Sequence, residues 1–443
     1  MIAKAEGFVA LTRFGLGAGL GDLDRVGGDA RGWTQAQLDR GSQLPPELAD
    51  LGSGEQQART LLAAIQDKSI QREEFRQQTR ALYLQEAGQR TLAAITSPTP
   101  LIERLVHFWS NHFTVSVAGK PILAGLVGAY EREAIRPYVT ARFADMLRAV
   151  VGHPAMLLYL DNATSVGPDS RAGRLRDKGL NENLARELLE LHTLGVDGGY
   201  TQADVQEFAK ILTGWSVGRP KTAEAGTFQF HPMIHEPGDK TLLGKRYPEA
   251  GMAEGEAALR DLARHPATAR HIATQLARHF IADQPPAPAV ERLARVFRDT
   301  DGDLAQLTRA LIALPEAWAD PLAKVKTPTE FVVSALRLTT FKGETEKLVG
   351  SLTLLGQTPF GAPSPAGWPD TAADWIGPEA IMQRIDWSMA LAQRLPRDLS
   401  PMTLADASIA PVAARDTMLA IQRAADVREG LALLFASREF QRR

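Results

Sequence analysis

The feature that most constrains this chain is a helical period sustained along most of its length. Apolar residues return every three or four positions around 55–95, 100–114, 121–150, 181–195, 202–213, 254–282, 288–313, 328–340, 378–394 and 411–436. That spacing gives an α-helix one apolar face. Strand-type alternation is scarce. Its main occurrence is "TFQFHPMIHEPGDKTLLGKRY" (227–247), where two short alternating runs flank Pro237-Gly238-Asp239 and predict a hairpin or an ordered loop. The expectation is an all-α fold, a large assembly of about ten or more helices with one small β excursion near 227–247. Residues 40–54, 163–179, 216–250 and the Pro/Gly-rich "GQTPFGAPSPAGWPD" (356–370) read as irregular. The expected organisation is an N-terminal arm and first helix over 1–54 and a core helical region over 55–215. The excursion over 216–250 follows, then a C-terminal helical region over 251–443 packed on the core, all as one integrated fold.

Composition narrows the function classes. Fifty basic and 52 acidic residues give a formal net charge of −2, which leaves no basic footprint for nucleic acid or an anionic membrane. The absence of cysteine excludes disulfides, thiolate zinc sites, iron–sulfur clusters and cysteine nucleophiles. A divalent metal would have to sit on His, Asp, Glu or backbone oxygens, and there is no haem motif. The opening "MIAKAEGFVALTRF" lacks a secretory pattern, because Arg13 interrupts its short apolar stretch. The longest apolar run, "PILAGLVGAY" (121–130), falls short of the roughly 18 residues of a membrane span. No membrane span and cytoplasmic residence are the expectations, with export by a partner the alternative.

One local pattern recurs in "RAVVGHPAM" (148–156), "RDLARHPAT" (260–268), "RALIALPEA" (309–317) and "LALLFASREF" (431–440). Each runs an apolar helix end into a short break and a new helix, with Pro suited to the first helical position in the first three. The slot held by His153 and His265 is Leu314 in the third copy. A slot that accepts Leu has no catalytic obligation, so both histidines read as helix caps.

Familiar signatures fail. "GLGAGLG" (15–21) puts Leu20 where a dinucleotide fingerprint needs its last glycine. "AGKP" (118–121) and "LGKR" (243–246) lack the flanks of a phosphate loop, and Pro237-Gly238 breaks the zinc-protease motif that His235-Glu236 begins.

Three constellations survive. In "PLIERLVHFWSNHFTVS" (100–116), Glu103, His107, Ser110 and Asn111 share one narrow sector, flanked by Arg104. Such a stripe is either a solvent face or a buried acid/base or metal site, with a carboxylate fixing one imidazole nitrogen. His112 lies on the other side and reads as a cap. In "GLNENLARELLELHTLGV" (179–196), Asn181 is the expected N-cap. Leu184, Ala185, Leu188, Leu191 and His192 form an apolar arc, with His192 expected to have one backbone partner. Glu182, Asn183, Arg186, Glu187 and Glu190 face the other way, with Glu182–Arg186–Glu190 spaced as a charge ladder. The third is a loop carrying His231, His235, Glu236, Asp239 and Lys240, where Lys240 could offer a point charge to an anion.

The stretch "LNENLARELLELHTLGVDGGYTQADVQEFAKILTGW" (180–215) resembles the signature of the bacterial domain of unknown function 1800 family. The likeness continues through "FWSNHFTVS" (108–116), "HPAMLLYLDN" (153–162), "FQFHPMIHEPGDKTLLG" (228–244), "HPATARHIATQLARHF" (265–280), "KTPTEFVVSALR" (326–337) and "LGQTPFGAPSPAGWPD" (355–370). It implies that the polar positions at Asn111, His112, Glu182, Asn183, Arg186, Glu187, Glu190, Thr213, Trp215, His235 and Lys240 belong to the family pattern. The helix at 181–195 could then line a cleft as well as face water. The resemblance also implies a partner, a domain of unknown function 1501 family protein.

Two expectations follow. One is an enzyme performing hydrolysis or group transfer on a polar substrate, with an acid/base or metal-assisted site between helices 100–114 and 181–195. His107, Asn111, Glu187, Glu190 and His235 would be catalytic, Asn183, Arg186, Trp215 and Lys240 would bind substrate, and no metal ligands are assigned. The other is a non-catalytic helical scaffold or escort for the partner, in which Arg186 pairs with Glu182 and Glu190 and the polar signature fixes helix register.

Overall fold

The computed structural model describes residues 2–66, 71–175, 179–220, 222–340 and 343–443. Residues 67–70 of the 55–95 helical segment, 176–178 of the 163–179 loop and residue 221 of the 216–250 excursion lie outside the described residues. Within them are twenty-five α-helices and two small antiparallel two-stranded sheets. The all-α expectation is met.

Helix Ala287–Asp299 shows how the period becomes packing. Ala289, Val290, Leu293, Ala294 and Phe297 are its buried residues, one face of a 3.6-residue repeat. Each large apolar side chain so buried contributes about 1.5–3 kcal/mol. Helix starts follow local chemistry. His153 and His265 are caps, their Nδ1 atoms accepting from Ala155 N and Ala267 N at 3.1 Å, each ahead of Pro at the first helical position. Thr201 with Asp204, and Thr327 with Glu330, form reciprocal capping boxes.

The 121–150 segment is not one helix. It is broken into Pro121–Ala124, Val127–Tyr130, a π-helical turn Glu131–Ile135, a 3₁₀ turn Arg136–Tyr138 and helix Phe143–Gly152. Pro137 has no N–H to continue an α-helical ladder there. The 181–195 segment is likewise α-helical only over Asn183–Glu187 and widens into a π-helical turn over Leu188–His192. The N-cap position falls on Glu182, which makes no side-chain cap bond, rather than on Asn181 as expected; Asn181 sits one residue earlier, its Oδ1 accepting from Asn183 N at 2.9 Å in a local turn.

The β excursion pairs in its own way. Strand β1 (Trp215–Val217) is antiparallel to β2 (Phe228–Phe230), and β3 (Lys240–Leu242) to β4 (Lys245–Tyr247). The tight turn therefore falls at Leu243-Gly244, both at positive φ (51° and 74°), rather than at Pro237-Gly238-Asp239. Two positive φ values in a two-residue loop match the right-handed twist of the strands.

Buried apolar side chains gather in two clusters. The larger holds helix Pro100–His112 with helices from Phe143–Gly152 to Leu304–Ala313. The smaller joins helix Pro328–Leu338 to the helices between 345 and 436, with Leu16, Ala94 and Ile95 reaching into it. Gly17, at φ +114°, sits where a Cβ would lie 2.4 Å from Ser334 Cβ. The failed nucleotide motif thus owes this glycine to close packing on helix Pro328–Leu338. Among the described residues no helix is long and apolar enough to cross a membrane.

Candidate functional site

A cavity of about 400 Å³ opens where helix Pro100–His112, helix Pro266–Phe280, the start of helix Pro328–Leu338 and the 357–371 segment converge. The polar stripe of the first helix turns toward the interior. Glu103 and Arg104 are fully buried, while His107, Ser110, Asn111 and His112 are half-buried and line the cavity.

Glu103 does not orient His107. It is held bidentately by Arg136, with Nη1 to Oε1 at 2.6 Å and Nη2 to Oε2 at 2.8 Å, the geometry a guanidinium fork favours. His107 is left with a buried Nε2 that has no partner among the described residues. Burial first, then Arg90, Arg136 and Arg104, push its imidazole well below the ordinary histidine value, so it is neutral at pH 7.

Asn111 fastens the opposite wall. Its Nδ2 donates to Trp368 O at 2.9 Å and its Oδ1 accepts from Trp368 N at 2.8 Å. A Cβ on Gly367, whose φ is +81°, would lie 2.5 Å from Asn111 O, so only glycine permits this approach. Ser116 Oγ donates to Ala362 O, Val117 N to Phe360 O and Tyr83 Oη to Pro359 O. The 356–370 segment is irregular, as expected, with no helix or strand, and these bonds tie it down as a wall of the cavity.

The cavity floor is a buried ion network. Arg104 donates to Gly15 O at 2.7 Å and Thr12 O at 2.9 Å, pairs with Glu330, and stands 3.3 Å from His279 Nε2. Glu330 also accepts from Arg443 Nε at 3.0 Å. Arg443 Nη1 donates to His279 O, while Arg13 donates to Arg443 O. Asp370 Oδ2 lies 2.5 Å from His279 Nδ1, and Lys324 donates to Asp370 O and Asp283. Burial works to raise the Glu330 carboxyl, but Arg443 and Arg104 overcome it and hold it well below the ordinary value. Asp370 is held low in the same way, by His279, Lys324 and Arg443 against burial. Burial lowers His279 despite the opposing pull of Asp370.

His112 and His271 line one side, with His192 buried behind them. His112, expected as a cap of its own helix, reaches across instead, with Nε2 3.1 Å from His192 O. His271 Nε2 lies 2.9 Å from Leu191 O. Both contacts fix the proton on Nε2, since a carbonyl only accepts. Burial is the largest cause lowering both, and for His112 the neighbouring His192 and His271 add to it. His192 is core, as its apolar arc implied, but neither ring nitrogen has the expected backbone partner among the described residues. Burial, with His271 adding to it, brings it down to about 4.

The two helices expected to share a site approach each other at their C-terminal ends, where the His112 and His192 ring centroids are 5.8 Å apart. Helix 183–192 gives the cavity Leu191 alone. Asn183 is exposed, and Arg186, Glu187 and Glu190 are half-buried away from the cavity. Arg186 pairs with Glu182 at 2.8 Å and contacts Gln202 at 3.0 Å, with no ion pair to Glu190 among the described residues. Burial and Glu190 raise the Glu187 carboxyl.

His235, Lys240 and Trp215 form a third location. Lys240 Nζ bonds Glu236 O at 2.6 Å and Glu254 at 3.1 Å. His235 Nδ1 contacts Thr213 O at 2.8 Å, and its Nε2 faces Glu254 at 3.5 Å. Trp215 is buried edge-on against Phe228. None of the three lines the cavity.

Local sequence patterns did not single out Arg278, His279, Glu330 or Asp370. One signal was present: Thr327-x-x-Glu330 after Lys326 is a capping-box spacing. Among the described residues no three His, Asp or Glu side chains converge as a metal-holding group. Of the lining imidazoles, His112 and His271 face carbonyls and His279 faces Asp370, while Glu330 and Asp370 are each paired with cations.

A family model described as "Protein of unknown function (DUF1800)" matches residues 9–442. No curated protein and no solved structure matches the chain.

Proposed function

The chain belongs to the DUF1800 family of proteins of unknown function, and because that name assigns no reaction, we propose a function from the cavity itself. The protein is an enzyme that binds a small polar substrate between helices Pro100–His112 and Pro266–Phe280. It hydrolyses or transfers a group on that substrate by acid–base chemistry.

His279 is the acid–base residue and Asp370 its positioning partner. The observation that carries this reading is the 2.5 Å Asp370–His279 contact in the wall of the cavity. The carboxylate fixes the proton on Nδ1, which leaves the Nε2 lone pair to take one from a substrate hydroxyl or water. Burial keeps the imidazole neutral near pH 7, the state a base needs. Arg104 occupies the Nε2 side at 3.3 Å, a long contact that an incoming hydroxyl can replace. Of the residues expected from sequence, His107 supplies a neutral hydrogen-bonding wall and Asn111 positions the 357–371 segment.

The test is turnover of chromogenic carboxylic, phosphate and sulfate esters by the full chain, its His279→Gln variant and its Asp370→Asn variant. The expected result is turnover of at least one class, lowered about 10²–10⁴-fold in His279→Gln at unchanged helical content. Asp370→Asn should displace the pH profile. Equal turnover by wild type and His279→Gln would sink the proposal.

A specific observation favours a second reading. Each carboxylate in the cavity wall already faces a cation or an imidazole, the pattern of a structural clamp. A helical scaffold would use it so, with the DUF1501 family partner that the resemblance implies. In that case both variants lose stability, and no ester is turned over by any form.

A further inference from the structure

We infer that the cavity takes its ligand by an anionic group, a carboxylate or a phosphate- or sulfate-type oxyanion, held by Arg278. The inference rests on the reading of this cavity as a ligand site, and it concerns what the ligand carries rather than what happens to it.

Three arginines line the cavity, and they are not equivalent. Arg90 is matched by Glu131, its Nε lying 2.9 and 2.7 Å from the two carboxylate oxygens, and its guanidinium is stacked 4.8 Å from the centre of the Phe360 ring. Arg104 is matched by Glu330 and further tied to Thr12 O and Gly15 O. Arg278 has no carboxylate partner among the described residues. Its one polar contact is Gln275 Oε1 at 3.5 Å, three positions back on the same helix. That is the outer limit of a hydrogen bond.

The negative side of the cavity has nothing spare to offer Arg278. The two lining carboxylates are Glu330 and Asp370. Glu330 is shared by Arg104 and Arg443, and Asp370 by His279, Lys324 and Arg443. The four lining imidazoles His107, His112, His271 and His279 are all lowered by burial, so they add no positive charge that would need balancing. One guanidinium charge is therefore left unmatched on the wall of a cavity with low-dielectric sides. Such a site concentrates anions.

The remaining polar groups suit an oxyanion. Thr329 and Thr358 line the same cavity, and their hydroxyls make no hydrogen bond among the described residues. Together with the planar fork of Arg278 they can present several donors to a carboxylate or a tetrahedral oxyanion, the recognition for which arginine exceeds lysine. Asn111 cannot contribute, because both ends of its amide are bonded to Trp368. A cavity of about 400 Å³ admits a small molecule rather than a polymer.

The test is calorimetric titration of the full chain with inorganic phosphate, inorganic sulfate and succinate, in wild type and in Arg278→Gln, Arg278→Lys and His279→Gln. Wild type should bind at least one probe, less tightly as salt rises. Binding should fall at least tenfold in Arg278→Gln and recover in part in Arg278→Lys. Arg278 is only half-buried and unpaired, so both substitutions leave the fold intact, and the charge-retaining variant checks this directly. His279→Gln should keep its anion affinity while losing turnover, which separates this inference from the acid–base reading. Equal affinity in wild type and Arg278→Gln overturns the inference, as does a wild type that binds none of the three probes.

Discussion

Replacing Asn111 by Ala tests the cavity's construction most directly. The side chain acts as a backbone strand would, giving one donor and one acceptor to Trp368 at 2.9 and 2.8 Å. Its removal takes away two hydrogen bonds worth about 1 kcal/mol each, and more if the freed Trp368 groups stay dry. The cavity beside them can supply water, so about 2 kcal/mol is the expected local cost. At a factor of ten for about 1.4 kcal/mol, the opening equilibrium of residues 364–371 should rise about 30-fold. Hydrogen exchange read by mass spectrometry on that segment is the assay, because a global melt averages the effect over the whole chain. Asn111→Asp sharpens the test. Its carboxylate keeps the Trp368 N–H but opposes the Trp368 carbonyl, which raises its folded pKa above the unfolded value of about 3.9. Protonation restores a donor, so protection lost at pH 7 should return as pH falls through that raised value. Exchange in Asn111→Ala within threefold of wild type would refute the clamp.

Two further outcomes concern stability. His192 is fully buried with two unpartnered ring nitrogens, so His192→Phe should stabilise the protein by about 1–2 kcal/mol in urea denaturation. Its folded value of about 4 lies below the unfolded value of about 6.5, so the unfolded state binds the extra proton between them. The wild type should lose about 1.4 kcal/mol per pH unit from this group as pH falls through that window, and the variant should not. Glu330→Gln leaves Arg104 and Arg443 buried beside a neutral group, at an expected cost of about 3–5 kcal/mol. Because the Glu330 carboxyl is depressed, its contribution is present above the unfolded value of about 4.3 and is lost as pH falls through the folded value. The variant should therefore show a flatter acid limb in a denaturation series at pH 7 to 3.

Helices were legible because their signal is local. The caps His153 and His265 were readable from a repeated junction. The 121–150 break was not, because apolar spacing persists through the π-helical and 3₁₀ turns around Pro137. Strand β1 is three residues long, too short for alternation to register, so β2 was given the wrong neighbour. For the site, a helical wheel found the stripe of Glu103, His107 and Asn111 but could not say whether water or protein faced it. The answer lay in partners far along the chain, Arg136 at 33 residues, Glu330 at 226 from Arg104 and Trp368 at 257 from Asn111. No local period encodes such meetings. Charged residues at 278–279, 330 and 370 looked like ordinary helix and loop polarity until the fold brought them together.

The ion network under the cavity also has a consequence for how the chain reaches its native state. It joins Thr12, Arg13 and Gly15 to Arg104, Glu330 and Arg443, with Arg13 bonded to a carbonyl 430 residues away. Contacts of that separation carry a large closure entropy and form after local helices. Until all four charged side chains arrive, a compact intermediate that traps any one of them holds an uncompensated charge. The cluster therefore penalises collapse around an incomplete set of segments, because each buried charge is costly until its partners are in place.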